Sequence, residues 1–169
     1  NIDQINWQKE GWFIPWQHLA QFFAPDFFGN PTTLNYWGVF NYGEFVGYVG
    51  TASLVFVIFA LFSRRDKKTM FFGTLFFLSL IFSLPTLFAK IPYLLNIPFI
   101  SSSQPTRLLF ATNFSLAVLT ALGFDFFLRN KRGINFPIVF LSTIFIILWV
   151  STLLFTTIPS ENLITSQRN

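Results

Sequence analysis

Four long apolar runs limit what this chain can fold into more than any other feature. They cover residues 45–63, 69–89, 108–128 and 134–157. Crossing a hydrocarbon layer of ~30 Å at ~1.5 Å per residue takes about 20 mostly apolar residues in a helix. Each run is close to that length, and Asp125 is the one acidic or basic side chain inside them. Pro85 stands near the end of the second run. Pro137 falls in the first turn of the fourth, where proline is tolerated. These runs predict an all-α, polytopic transmembrane helical bundle of four spans.

The connections set its orientation. "RRDKK" (64–68) joins the first two runs and "RNKR" (129–132) the last two, four and three of the eleven lysines and arginines. Successive spans alternate sides, so both connections fall on one face, which the positive-inside rule makes cytoplasmic. Residues 1–44, 90–107 and 158–169 are then extracytoplasmic. Asp125 has Arg129 one turn further on, in reach of an ion pair at the interface. Arg107 stands on the other face, where topology gives a cation no reason to be.

Composition agrees with the runs. The chain is 53% hydrophobic and 11% charged, against roughly 25% charged in soluble domains. Its net charge of +4 does not mark a nucleic-acid binder, because most cations sit in the two short connectors. With no cysteine there is no disulfide framework, thiolate catalysis or cysteine metal site. The first forty-odd residues lack the layout of a secretory signal, and the chain is expected to be an internal or C-terminal piece of a longer polytopic protein.

The segment 11–45 is rich in rings, but Pro15, Pro25 and Pro31 break it too often for a span. Trp12, Trp16, Leu19 and Phe23 recur at helical spacing, which predicts a short interfacial helix with Gln17, His18 and Gln21 facing water. "PDFFGNP" (25–31) predicts a turn in which Asp and Asn bond the backbone and Gly supplies positive φ. Trp16, Tyr36, Trp37 and Tyr42 could form a stacking platform for a sugar or its acceptor; an ordinary aromatic belt accounts for the same rings. Gly43, Gly47 and Thr51 make a small-residue stripe suited to close helix packing.

Residues 90–107 contain Pro92, Pro98 and Pro105 and predict an external hairpin, with Ser101, Ser102, Ser103 and Gln104 lining a cavity. Pro105 opens the third run, so the N–H groups of Thr106, Arg107 and Leu108 are expected to be free at a positive helix end. Arg107, with Thr106 and Ser103, is the candidate phosphate site; an arginine snorkelling to lipid phosphate is the plainer alternative. Asp26 and Glu44 are candidate catalytic carboxylates, or partners in a divalent metal site, set against turn capping and interface solvation. His18 has no metal-ligating neighbour in sequence. "NFS" (113–115) lies inside a span and is a false glycosylation match.

Two stretches, "APDFFGNPTTLNYWGVFNYGEFVGYVG" (24–50) and "IPFISSSQPTRLLFATNFSLAVLTALGFD" (97–125), resemble bacterial membrane proteins of the YfhO type. The second is similar to that family's Pro-x-Arg-x-x-Phe block, here Pro105, Arg107 and Phe110, entering a helix that ends near Gly123 and Asp125. The family belongs to the lipid-linked-sugar glycosyltransferases of GT-C architecture. The resemblance covers about two-thirds of the chain and implies an integral enzyme of the bacterial cell membrane. Such an enzyme moves a sugar from a polyprenyl-phosphate carrier to a cell-envelope acceptor. It also implies a main catalytic acid in an earlier external loop, so that role does not transfer to Asp26 or Glu44. Arg107 matches a position where a basic residue meets the carrier phosphate. No cofactor is required by the sequence, and nucleic acid is not an expected partner. Two other classes stay open: a lipid-linked substrate transporter or flippase subunit, and a non-catalytic membrane scaffold.

Overall fold

A central helix organises the chain. The structure, a computed structural model, describes residues 11–39, 42–130 and 134–154. The tail 158–169, the end of the fourth run, and Lys131 and Arg132 lie outside these residues. Six α-helices follow in order: α1 (Tyr42–Phe45), α2 (Thr51–Ser63), α3 (Lys67–Ser83), α4 (Leu87–Leu94), α5 (Leu109–Asn130) and α6 (Asn135–Leu154). Three 3-10 segments, Trp16–Phe22, Pro31–Thr33 and Pro105–Leu108, complete the set, and no strand occurs among the described residues. The described residues are all-helical in class.

α5 holds the others together through small polar bridges as well as apolar contact. Ser79 and Thr112 hydroxyls meet at 2.8 Å, and Ser83 Oγ donates to the Pro105 carbonyl at 3.3 Å, so α3 runs antiparallel to α5. α2 lies along the later half of α5, where Phe56 packs edge-on to Phe124. Gly123 makes this approach possible, because a Cβ there would sit 2.0 Å from the Phe56 carbonyl oxygen. Leu116, Leu119, Val57 and Leu84 form the core with Ile14, Phe22 and Phe45 from the N-terminal segment.

Among the described residues one continuous helix, Pro105–Asn130, is long and apolar enough to cross a membrane. α3 and α4 pass the same test as a pair but bend by 62° at their junction. The bend has a local cause: Leu84 precedes Pro85 and is driven to extended backbone, and the Thr86 side chain then caps α4 by accepting from the Ala89 N–H. The first run is not one helix but α1 and the 13-residue α2. Gly50, at φ 98°, and the seat of the Phe22 ring against Gly47 interrupt it. The Gly43–Gly47–Thr51 stripe is therefore not a helix-packing face. That job falls to Gly123.

The basic end of the bundle is a worked joint. Arg64 bonds the Leu122 carbonyl at 3.0 Å, Asp125 at 3.2 Å and Asp66 at 3.0 Å. Asp66 in turn caps α3 through the Thr69 N–H at 2.9 Å. The expected Asp125–Arg129 pair forms at 2.9 Å. Both basic connectors thus begin at the same end of α5, with Arg107 at the other.

The N-terminal segment departs most from expectation. Trp16–Phe22 winds as a 3-10 helix, whose three-residue turn stacks His18 on Gln21 instead of spreading them along an α-helical polar face. That pair points inward, both fully buried, while Trp16 is 55% exposed. The interfacial helix with a wet His18 and Gln21 is therefore corrected; Gln17 alone of the three is exposed.

Candidate functional site: the two cavities at Arg107

Burial of His18 and Gln21 is made tolerable by a closed hydrogen-bond chain. The Val39 N–H donates to His18 Nε2 at 3.2 Å, His18 Nδ1 pairs with Gln21 Oε1 at 2.6 Å, and Gln21 Nε2 donates to the Pro25 carbonyl at 3.0 Å. Both ring nitrogens are used, which fits a neutral ring protonated at Nδ1 and leaves no lone pair for a metal. The ring stacks on Phe28 at 4.4 Å, and burial pushes its pKa below the usual value despite the opposing Gln21 bond. A folded-state pKa below the unfolded value of 6.5 means that stability is full above that value and falls as pH drops through it. Thermal unfolding should therefore shift to lower temperature between about pH 7.5 and about pH 5, with a smaller shift in His18→Asn.

Asp26 serves the same scaffold. Its Oδ1 accepts from the Tyr42 hydroxyl and from Asn30 Nδ2 at 3.0 Å, while Gly29 turns the chain at φ 80° as the turn signature predicts. Burial first, and then the Asp26 carboxylate, push the Tyr42 hydroxyl up to about 12. Tyr36 packs edge-on to Tyr42 at 5.5 Å, and Trp37 lies edge-on to Phe28 at 4.8 Å. Three of the four platform rings are thus half-buried around Asp26 and His18, and Trp16 stands apart with its ring exposed.

Glu44, by contrast, reaches the start of the central helix. Its Oε2 accepts from Thr106 Oγ1 at 3.0 Å, across 62 residues of sequence. Glu44, Thr106, Arg107, Phe110 and Asn113 line a cavity of about 210 Å³. Asn113 follows Thr106 by seven residues and so shares its helix face; its Oδ1 is buried there without a hydrogen-bond partner. On the other side of Arg107 opens a second cavity of about 440 Å³. Phe82, Tyr93, Phe99, Ile100 and Leu108 give it mostly apolar walls, with Ser103 and Gln104 at its edge. Ser101 and Ser102 do not line it. Arg107 belongs to both cavities, and its guanidinium makes no hydrogen bond or ion pair with the described residues.

The other phosphate donors expected from sequence are largely occupied. The Arg107 N–H donates to the Gln104 carbonyl at 3.3 Å, because the helix opens as a 3-10 turn, so it is not a free donor. Thr106 gives its hydroxyl to Glu44, and Ser103 Oγ donates to the Phe99 carbonyl at 2.9 Å. What remains for an anion is the guanidinium itself. Asn113 was missed as a site residue, although an amide in the middle of an apolar run is a signal in itself. Among the described residues no three His, Cys, Asp or Glu side chains gather as a metal site, and Asp26 and Glu44 are engaged with different partners. The chain matches no protein-family model, no curated protein and no solved structure. What stands, among the described residues, is an all-helical fold with one helix long and apolar enough to cross a membrane.

Proposed function

We propose that this chain is part of a multi-pass bacterial membrane glycosyltransferase of the YfhO type. It would transfer a sugar from a polyprenyl-phosphate carrier to an extracytoplasmic acceptor. The observation that carries the reading is the double role of Arg107, a cation with no ion pair among the described residues that forms the shared wall of an apolar cavity and a polar one. A lipid-linked sugar has the same three parts in the same order. Its prenyl chain takes the apolar side, its phosphate the guanidinium, and its sugar the small cavity beside Glu44 and Asn113. As the acceptor oxygen bonds to the anomeric carbon and the bond from that carbon to the phosphate oxygen breaks, charge grows on the leaving phosphate, and the guanidinium beside it offsets that charge. Glu44 Oε1 and Asn113 Oδ1 accept hydroxyl protons of the sugar or acceptor, and Thr106 holds the Glu44 carboxylate in place.

In this reading the helices form four membrane-embedded units with the basic connectors in the cytoplasm. The Arg64–Asp125 pair supports it by joining the first connector to the end of α5 that carries the second. The broken α3–α4 unit favours a second reading, a transporter of lipid-linked substrate, since discontinuous helices near cationic sites suit transport.

The test uses membrane fractions of the full-length protein with labelled polyprenyl-phosphate sugars. Glu44→Gln should lower transfer at least about tenfold, with membrane integration unchanged. Unaltered transfer would remove Glu44 and the small cavity from the site. Sugar-independent passage of the lipid across the bilayer, with no bond cleaved, would favour the second reading.

A further inference from the structure

A third cavity, of about 510 Å³, lies at the opposite end of the bundle between α2 and α3. Those helices both pack on α5 but touch each other little, so the space between them is a groove rather than a seam. Its mouth carries Arg64, Arg65 and Thr69, and its walls are apolar, with Leu61, Phe77 and Leu78 among them. We propose that this groove seats one anionic phospholipid, headgroup at Arg65 and acyl chain along α3.

The mouth has the charge for it. Residues 64–68 hold four cations against Asp66, and Asp66 is already engaged by Arg64 and the Thr69 N–H. Asp125, the other nearby acid, is held between Arg64 and Arg129. Arg65 is exposed and has no hydrogen bond or ion pair among the described residues. Thr69 is itself buried, 2% exposed, beside the Asp66 carboxylate that its N–H already meets, which leaves Arg65 as the group at the mouth open to a headgroup. Basic pockets between helices at the cytoplasmic interface bind anionic headgroups for these reasons.

The length also fits. From Thr69 to Leu78 the helix rises about 13 Å, close to half of a ~30 Å hydrocarbon layer, so an acyl chain anchored at the mouth stays beside apolar wall to the bilayer centre. Gly73 keeps the groove open at mid-depth; a Cβ there would already stand 2.9 Å from Leu61 Cδ2. The inference rests on the bilayer reading and not on glycosyl transfer.

The purified protein in neutral detergent is titrated with dioctanoyl phosphatidylglycerol, dioctanoyl phosphatidylcholine and glycerol phosphate, following thermal unfolding. Phosphatidylglycerol alone should raise the unfolding temperature. Arg65→Ala should weaken its half-saturation about fivefold, and Gly73→Leu should remove the response. Equal response to phosphatidylcholine, full response to soluble glycerol phosphate, or an unshifted Arg65→Ala curve would each overturn the proposal. So would a dimer of this chain that Gly73→Leu dissociates, because the groove would then hold a second copy. Release of the protein from membranes by an alkaline wash identifies failure of the bilayer reading itself. Sugar transfer should be unchanged in Arg65→Ala.

Discussion

Arg107→Ala should lower sugar transfer by at least about 100-fold while the protein still enters the membrane in normal amount. Loss of one preorganised group facing developing charge costs about 10² to 10³ in rate, or ~2.7 to 4 kcal/mol of barrier. Folding should be spared, because the exposed guanidinium bonds no described residue and supports no packing. Arg107→Lys should recover part of the rate, since an ammonium keeps the charge but loses the fork that matches two phosphate oxygens. Labelled donor, initial rates and a membrane-integration control measure it. Wild-type transfer by Arg107→Ala would end the assignment of the carrier phosphate to this arginine.

Gly123→Ala should destabilise the protein, against the usual sign for a helical glycine. Replacing an exposed helical glycine with alanine gains about 1 kcal/mol in helix propensity. Here the added methyl would stand 2.0 Å from the Phe56 carbonyl oxygen and 3.3 Å from Ala60 Cβ. The obstacle is α2 backbone, which cannot swing aside as a side chain can, so α2 must separate from α5. Overpacking of this kind costs about 1–3 kcal/mol and outweighs the propensity gain. Separation would also strain the Arg64 bonds to Leu122 and Asp125. Gly43→Ala is the control, since a Cβ there meets nothing within 4 Å. Thermal unfolding of the two variants should move Gly123→Ala down and leave Gly43→Ala unmoved or slightly up. A stabilised Gly123→Ala would mean that α2 and α5 do not approach as described.

The helical class, the turn at 25–31 and the Asp125–Arg129 pair were legible because each depends on near neighbours in sequence. Hydrophobic run length, a glycine at positive φ and an i,i+4 ion pair are local quantities. The inward turn of His18 was not legible, because α-helical and 3-10 periods assign the same residues to different faces. Nor was the break of the first run, which depends on a ring from residue 22 seated against residue 47.

The sequence by itself determined that this chain must bury long apolar helices and that its cations divide between two ends. Tertiary structure alone decided which polar groups share a space. Glu44 meets Thr106 across 62 residues, and Arg64 meets Asp125 across 61. Arg107 gains two cavities only when α1, α4 and α5 converge on it. Charge and hydropathy are summed along a chain, whereas a site is made where distant segments touch, and packing chooses those contacts.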